Sequence, residues 1–158
     1  MSNSNVNDGT NKSQLQVVTF EVGPALLALE ISTVQEINRN FNFTNVPHAP
    51  NFVRGVTNLR GEVVTIIDLH IVLDMEATEP TAHTRNLIVN HDRELIGLCV
   101  DRVADIMTIS SDLSDPPSNL QGVPRKLIRG VHQAKGRLVM ILDLNELLQS
   151  CNAGEAAA

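Results

Sequence analysis

The sequence predicts an all-β fold in which two similar sets of five short strands form a pair of small barrels. Three observations support this: the 158-residue chain repeats itself, its apolar runs are short and bounded by turn residues, and stretches that would form helices are scarce. With no Trp, no Tyr and only 4 Phe, the core must consist mainly of Val, Ile and Leu, which suit strands. Small sets of twisted strands close into barrels more readily than they form a broad flat sheet.

The internal repeat is clearest near the end of each half. Residues 55–74 align without gaps on residues 130–149, with 8 identities in 20. Upstream, residues 27–37 align on residues 96–106 and match them at the apolar positions. The second half is longer between these two blocks, and we place its extra residues in a loop around Pro116-Pro117.

Each half contains five runs that we interpret as strands. They lie near residues 15–22, 26–31, 41–46, 52–58 and 61–67 in the first half, and near 85–91, 95–100, 106–110, 127–133 and 137–142 in the second. The halves span about residues 15–79 and 85–150, and Glu76–Thr84 joins them. Gly61 and Gly136 stand where a strand must turn back, since glycine tolerates positive φ.

Short helices are predicted after the last strand of each half. Asp68 and Asp143 each follow a strand and precede an apolar stretch, where a carboxylate can accept hydrogen bonds from the first helical turn. Glu146 completes a capping box with Asp143. Ser32 with Gln35 predicts a third helical turn by the same logic.

The two ends of the chain are expected to be disordered tails, residues 1–14 and 151–158. The first is rich in Asn and Ser and has no apolar core, so neither a secretory signal nor a membrane anchor is expected there. The spacing of Cys99 and Cys151 fits neither a zinc knuckle nor a redox pair, and two thiols are too few for a disulfide scaffold. We therefore expect a cytosolic protein.

The charge balance argues against nucleic acid as a partner. The chain has 12 basic and 18 acidic residues and a formal charge of -6, the wrong sign for neutralising phosphates. An oligonucleotide-binding barrel nevertheless stays open as an alternative, because small five-stranded barrels can have that role. It predicts salt-dependent affinity for single strands.

The sequence shows no catalytic residue, metal site or cofactor site. Residues 55–61 differ from a phosphate-binding loop in spacing, and Glu62 replaces its lysine. A small hydrolase stays open as an alternative only if Asp68, Asp143 and a histidine converge on one cleft. The histidines lack companions at metal-ligand spacing, and we interpret all five as solvated: His48, His70, His83, His91 and His132.

The turn between the last two strands of each half differs where a partner could be met. The first half has Asn-Leu-Arg-Gly at 58–61, and the second has Gln-Ala-Lys-Gly at 133–136. Arg60 carries a planar five-donor group suited to carboxylates, and Leu59 places an exposed apolar group beside it. A partner contact and an ordinary exposed turn are equally compatible with these residues.

At this turn the chain resembles the CheW-like domain family, the coupling proteins of bacterial chemotaxis arrays. The family's most specific stretch is similar to P-x-x-V-x-G-V-x-N-L-R-G-x-V-V-x-x-I-D-L, and residues 50–69 fit it throughout. Val-Gln-Glu-Ile at 34–37, Ile-Gly-Leu-Cys-Val-Asp at 96–101 and Leu-Asp-Leu at 142–144 match further landmarks in order. The resemblance covers residues 15–150. Because no kinase or receiver segment accompanies it, we expect a free-standing coupling protein.

The resemblance implies two SH3-like barrels around a shared core, with no catalysis and no cofactor. It also implies partners: the cytoplasmic hairpin tip of methyl-accepting chemoreceptors and the regulatory domain of the histidine kinase CheA. The location would be cytoplasmic, at receptor arrays beneath the inner membrane, with membrane association only through receptors. Carried over residue by residue, the receptor contacts fall on Arg60, Glu36, Val34, Leu59 and Asn58, and the kinase contacts on Gly55, Val46 and Thr44.

Two of these residues also have simpler explanations. Val34 is matched in the repeat by Val103, so it is expected to belong to the core. Glu36 is matched by Asp105 and could be a solvated acid.

Overall fold

The computed structural model describes residues 14–118 and 122–157, and in the last helix it describes side chains as far as Cys151. Residues 1–13 of the expected N-terminal tail lie outside the described residues. So do residues 119–121 of the loop after Pro116-Pro117, and residue 158.

Ten strands, two helices and two 3₁₀ turns make up the described chain. The strands are β1 (Gln14–Val22), β2 (Ala25–Glu30), β3 (Val34–Asn38), β4 (Val53–Leu59), β5 (Glu62–Asp68), β6 (Arg85–His91), β7 (Glu94–Val100), β8 (Arg102–Ser110), β9 (Ile128–Ala134) and β10 (Arg137–Leu142). The helices are α1 (Leu69–Val72) and α2 (Leu144–Ala157), and the 3₁₀ turns are Ile31–Thr33 and Arg125–Leu127.

The strands form two five-stranded sheets. In the first, which we call barrel 1, the strand order is β8-β1-β2-β10-β9; in the second, barrel 2, it is β3-β6-β7-β5-β4. Most neighbours are antiparallel, and one parallel pair occurs in each sheet, β2 with β10 and β5 with β7. The predicted fold class, an all-β protein with few helices, is confirmed.

Each sheet is closed by one bridge at the equivalent place. In barrel 2 the chain beyond β3 pairs with β4, where Thr44 and Val56 exchange hydrogen bonds of 2.8 and 2.9 Å. In barrel 1 the chain beyond β8 pairs with β9 in the same way, through Ser114 and Val131 at 3.1 and 2.9 Å. Because the two outer strands of each sheet are joined, both sheets have the form of barrels.

The assignment of one half of the sequence to each barrel is wrong. Barrel 1 combines the β1–β2 hairpin of the first half with β8, β9 and β10 of the second. Barrel 2 combines the β6–β7 hairpin of the second half with β3, β4 and β5 of the first. The halves thus exchange hairpins, which the pattern within each half does not reveal, because strand pairing is set by partners far away in sequence.

Two glycines of the repeat lie under the closing bridges. A Cβ on Gly55 would lie 2.7 Å from the carbonyl oxygen of Thr44, and the φ of Gly55 is +149°. A Cβ on Gly130 would lie 2.5 Å from the Cβ of Leu113, beside the other bridge. The repeat keeps both glycines because a side chain at either position would push the closing segment away.

A large apolar cluster is shared by both barrels. It includes Phe20 and Leu27 from barrel 1 and Leu87 and Leu98 from barrel 2, all fully buried. Smaller clusters fill the barrel interiors, and residues alternate between them along the strands. In β5, for example, Ile66 belongs to the interior of barrel 2 and the next residue along belongs to the shared cluster. The predicted shared core is therefore confirmed.

The third strand of the first half lies earlier than predicted. Residues 41–46 contain only the closing bridge, and the strand is β3, directly after the 3₁₀ turn at Ile31–Thr33. Asn38 accepts from the amide of Asn40 through its side chain, and Asn40 does the same for Asn42. These local bonds compete with strand pairing and explain why the ladder stops before Phe43.

Two boundaries in the second half also differ from expectation. β8 begins at Arg102 rather than near residue 106. Helix α2 continues to Ala157, through most of the segment 151–158 that was expected to be a tail, and Cys151 is buried in the shared core. An apolar residue one turn beyond Leu147 and Leu148 extends the buried face of the helix.

Candidate partner-binding site

The turn that joins β4 and β5 has the geometry that glycine conservation within the repeat predicts. Leu59 pairs with Glu62, so Arg60 and Gly61 form a two-residue turn with φ of +55° and +87°. The side chain of Asn58 accepts a hydrogen bond of 3.0 Å from the amide of Gly61. The turn of the other half has the same shape, with φ of +52° and +78° at residues 135 and 136. The backbone of both turns is therefore a property of the fold, and the side chains are what distinguishes them.

Arg60 and Glu36 are brought together by this turn and the outer strand β3. An Nη2 of Arg60 lies 3.0 Å from Oε1 of Glu36, and the side chains are 80% and 21% exposed. Asn38 donates to the other carboxylate oxygen of Glu36 at 3.3 Å. Glu36 is thus not a freely solvated acid: it is held on both sides, and it orients a guanidinium that still presents most of its donors to solvent.

Val34 and Leu59 are close to this ion pair in sequence, and both are half-buried. Val34 packs against the shared core, as its match in the repeat predicts. Leu59 packs against the interior cluster of barrel 2, so the expectation of an exposed apolar side chain at this position is wrong. Its neighbour Asn58 is exposed.

The three predicted kinase contacts lie around the closing bridge of barrel 2. Thr44 is exposed and forms the bridge, Val46 follows it and is half-buried, and Gly55 is buried beneath the carbonyl of Thr44. Thr44 and Gly55 therefore contact each other. The kinase role of all three residues stays a prediction.

All eight predicted contact residues belong to barrel 2. The receptor set lies on β3, β4 and the turn at 60–61, whereas the kinase set lies on the closing segment and the β4 residue beneath it. A recess of about 780 Å³ opens beside the same turn, with Val63, 67% exposed, on one wall and Leu95 and Leu148 on others. Barrel 2 thus carries all eight predicted contact residues and, together with α2, lines this recess.

Sequence reasoning missed a buried charged cluster centred on His70. This side chain is 5% exposed, and its ring nitrogens lie 3.0 Å from Oδ1 of Asp68 and 3.0 Å from Oδ2 of Asp101. Arg54 donates to the second oxygen of Asp68 at 3.3 Å. The interpretation of His70 as a solvated histidine is therefore wrong. The Asp-x-His spacing at 68–70 could have indicated the contact between Asp68 and His70. A carboxylate that caps a helix lies close to the side chain two residues further along the chain.

Both predicted caps are present, and they account for the two aspartates. Asp68 accepts from the amide of His70 at 2.9 Å, and Asp143 accepts from the amide of Glu146 at 3.1 Å. The amide of Asp143 donates to the carbonyl of Leu127 at 2.8 Å. Because this amide is already engaged, the second bond of the capping box, from the Asp143 amide to the Glu146 side chain, does not form.

The geometry does not support the hydrolase alternative. His70 lies between Asp68 and Asp101, not Asp143, and both nitrogens of its buried ring are already engaged by these carboxylates. Burial raises the pKa of the nearby Cys99 thiol to about 11, so this cysteine is not a thiolate nucleophile at neutral pH. Within residues 14–118 and 122–157, no group of three or more His, Cys, Asp or Glu side chains could hold a metal ion. Over the same residues, no helix is long and apolar enough to cross a bilayer.

The described residues thus form two small barrels around a shared core, a class of fold that unrelated families share. The comparison with family models gives the particular family: the CheW-like domain matches residues 16–152. The chain belongs to that family. The relatives described in the next paragraph are named as chemotaxis or scaffolding proteins, and a non-catalytic role follows from membership of this family.

Several relatives match nearly end to end. The chain is 35% identical to "Chemotaxis protein CheW" of Rhizobium meliloti over 85% of this chain and 88% of that protein. It is 32% identical to "Chemotaxis protein CheW" of Helicobacter pylori over 88% of this chain and 84% of that protein. The crystal structure of "scaffolding protein TtCheW" from Thermoanaerobacter tengcongensis superposes with a TM-score of 0.77 at 26% identity, covering 84% of this chain and 86% of that one.

Proposed function

We propose that this protein couples methyl-accepting chemoreceptors to the histidine kinase CheA and so controls kinase activity in bacterial chemotaxis. The observation that supports it most directly is the exposed guanidinium of Arg60, held in place by Glu36. An arginine oriented before binding loses less side-chain freedom on association than a free one, and arginines of this kind often dominate binding energy.

The receptor tip is the partner we assign to this arginine. A helical hairpin offers carboxylates for the guanidinium fork and apolar side chains for the half-buried surfaces of Val34 and Leu59. Asn58 contributes by fixing the turn through Gly61. The formal charge of -6 supports a protein partner rather than a nucleic acid.

The regulatory domain of CheA is the partner we assign to the closing segment. Thr44 and Val46 lie on an outer segment of barrel 2, and Gly55 allows that segment to approach β4 closely. A bulkier residue in place of Gly55 would displace Thr44 and with it the proposed kinase surface. Receptor and kinase would thus meet one rigid barrel at different positions, and a receptor signal would reach the kinase as differential affinity for two arrangements of the complex.

We further propose that the protein works on the cytoplasmic side, at receptor arrays beneath the inner membrane. Its association with the membrane would then be indirect, through the receptors.

A binding experiment with two variants separates the two surfaces. Arg60→Ala is expected to weaken binding of a receptor hairpin fragment roughly 10- to 30-fold, the cost of about 1.4–2 kcal/mol of lost contacts, and to leave the CheA regulatory domain bound. Val46→Ala is expected to show the reverse pattern. Affinities are measured by calorimetry with each purified partner.

The matched control is Lys135→Ala, which changes the equivalent turn of barrel 1 at the same positive φ. It should leave both affinities unchanged. Folded Arg60→Ala that captures the receptor fragment as well as the parent chain would refute the receptor assignment, and equal losses from Lys135→Ala would show that the effect is not specific to barrel 2.

A further inference from the structure

Asparagine side chains of barrel 2 form a line of hydrogen bonds that ends at the ion pair of the proposed receptor surface. The side-chain amide of Asn86, on β6, donates to Oδ1 of Asn38 at 3.1 Å and to the carbonyl of Asn40 at 2.9 Å. The side-chain amide of Asn38, on β3, donates in turn to Oε2 of Glu36. The other oxygen of that carboxylate holds Arg60. Asn86 is therefore connected to the guanidinium through two side chains.

The same asparagines also hold the chain that closes barrel 2. The backbone amide of Asn40 donates to Oδ1 of Asn38 at 3.2 Å, and the backbone amide of Asn42 donates to Oδ1 of Asn40 at 3.0 Å. The side-chain amide of Asn40 donates to Oγ1 of Thr57 on β4 at 3.2 Å. Two residues beyond Asn42 the chain forms the closing bridge at Thr44. One network thus contacts both the receptor ion pair and the segment assigned to the kinase.

Main-chain groups fix the direction of these hydrogen bonds. The atom of Asn38 that accepts from a backbone N–H must be its oxygen, so its nitrogen faces the carboxylate of Glu36. The atom of Asn86 that faces the Asn40 carbonyl must be its nitrogen, because a carbonyl can only accept. The network therefore has a single arrangement of donors and acceptors, and it holds its members in one geometry.

Barrel 1 shows that the fold itself does not need these asparagines. The exchange of hairpins makes β1 equivalent to β6 and β8 equivalent to β3. The paired residues Asn86 and Asn38 of barrel 2 therefore correspond to the paired residues Val17 and Met107 of barrel 1. Val17 is fully buried, and Met107 packs with it in the apolar interior of that barrel. The polar pair thus belongs to the barrel that carries all eight predicted contact residues.

The position of Asn86 is costly for a polar side chain. Asn86 is fully buried, and its Oδ1 accepts no hydrogen bond from the residues that the structure describes. A buried polar group with an unused acceptor destabilises a fold, and an apolar side chain avoids that loss. An asparagine at this place, where barrel 1 has valine, indicates a role other than stability.

We propose that Asn86 is a positioning residue: through Asn38 and Asn40 it fixes the receptor ion pair and the closing segment relative to each other. The assignment of these surfaces to receptor and kinase rests on the proposed function, whereas the positioning itself does not. Without the network, Arg60 and the segment before Thr44 would be less ordered, and each partner would have to order its own surface on binding.

The first test gives barrel 2 the apolar pair of barrel 1, by combining Asn86→Val with Asn38→Met. Relaxation of ¹⁵N nuclei measures the order parameters of the Arg60 Nε–H and of the backbone amides of residues 40–44. Both should fall by about 0.2, while the amides of barrel 1 stay unchanged. The urea midpoint should stay the same or rise, because the unused acceptor is gone. Unchanged order at either place, or an equal fall throughout barrel 1, would overturn the proposal.

The matched control is Thr19→Val in barrel 1. Thr19 is 2% exposed, and its hydroxyl bonds the amide and the carbonyl of Asp105 on β8 at 2.9 and 3.1 Å. This substitution also removes a buried polar side chain that holds an outer strand, so it should leave the order of Arg60 and of residues 40–44 unchanged. An equal fall in this control would show that the network is not responsible, and would also overturn the proposal.

A single variant, Asn38→Ala, decides the question if the double variant does not fold. Asn38 is half-buried, and its loss removes the bonds to Glu36 and to the amide of Asn40 together. The same fall in order is expected at Arg60 and at residues 40–44. Parent-like order in a folded Asn38→Ala chain would refute the positioning role.

Calorimetry with the receptor hairpin fragment and the CheA regulatory domain gives the functional readout. The double variant should bind each partner about 3- to 10-fold more weakly, the cost of ordering one or two side chains on association. Arg60→Ala is measured beside it. If Arg60→Ala weakens receptor binding and the double variant binds both partners like the parent, the positioning proposal fails and the proposed function stands. If Arg60→Ala loses no receptor affinity, the proposed function fails, and the order parameters alone decide the positioning role.

Discussion

The two corners of the molecule where the halves end share a backbone plan and differ in electrostatics. At the first, the amide of Asp68 donates to the carbonyl of Phe52 at 2.8 Å; at the second, the amide of Asp143 donates to the carbonyl of Leu127 at 2.8 Å. Each aspartate then caps a helix. The repeat has therefore kept the main-chain bonds at both corners.

The arginines of the two corners have different partners. Arg54 pairs with Asp68, whereas its counterpart Arg129 on β9 pairs with Glu30 at the end of β2, the strand on the other side of β10. The residue equivalent to Glu30 in the first corner is the neutral Cys99. No acid at that position therefore competes with the capping residue Asp68 for Arg54. Three differences between the corners, Cys99 for Glu30, His70 for Asn145 and Asp101 for Ser32, thus accompany a buried charged cluster at one corner and a half-exposed ion pair at the other.

The largest expected difference between the corners comes from removing each cap. Asp68→Ala should lower the free energy of unfolding by about 3–5 kcal/mol, because it leaves a buried imidazole and an arginine without their shared carboxylate. Asp143→Ala should cost about 1 kcal/mol, the usual loss of a cap. Urea unfolding of both variants measures this, and equal losses would show that the corners are energetically alike.

The shared backbone plan predicts a loss at each of the two glycines under the closing bridges, with the larger loss at Gly55, whose φ of +149° is itself strained for alanine. Gly55→Ala and Gly130→Ala should each lower the free energy of unfolding by about 1–3 kcal/mol, since both new methyl groups would overlap the closing segment. Gly61→Ala is the control: nothing lies within 4 Å of its Cβ position, so only the cost of its positive φ, about 1 kcal/mol, should appear. If either bridge glycine is neutral to substitution, that bridge is not rigid.

The smallest effect is expected at the half-exposed ion pair. Arg129→Ala should change the free energy of unfolding by less than about 1 kcal/mol, because solvent screens a pair whose side chains are 39% and 35% exposed. The difference should shrink further in 0.5 M salt. A larger, salt-independent loss in thermal or urea unfolding would mean that this corner is as tightly coupled as the first.

Much of the fold could be predicted from the sequence because it rests on local patterns. Short apolar runs located nine of the ten strands, and the glycines at 61 and 136 located two turns. The remaining strand, β3, follows a short 3₁₀ turn at Ile31–Thr33, and Ser32 and Gln35 predict only the helical turn, because the sheet partner of β3 is β6, about fifty residues away. Long-range pairing also explains why the hairpin exchange was not foreseen.

The candidate site was predicted in part for the same reason. Arg60 and Glu36 were singled out separately, and their ion pair could not be, since they lie on elements that meet only when barrel 2 closes. The sequence does not predict the contact of His70 with Asp101, because the two residues are 31 positions apart and meet only in the folded chain. Side chains that depend on tertiary neighbours are those for which local patterns carry least information.

The exchange of hairpins also has a consequence for synthesis on the ribosome. When the first half has emerged, up to about residue 79, neither barrel has all its strands, and the apolar faces of β1 and β2 still lack β10 and β8. Barrel 2 can close only after β7 is made, at Val100, and barrel 1 only after β10, at Leu142. The β1–β2 hairpin of a nascent chain therefore remains without its sheet partners, with its apolar faces exposed, for most of translation. Chaperone binding should be concentrated on that early segment.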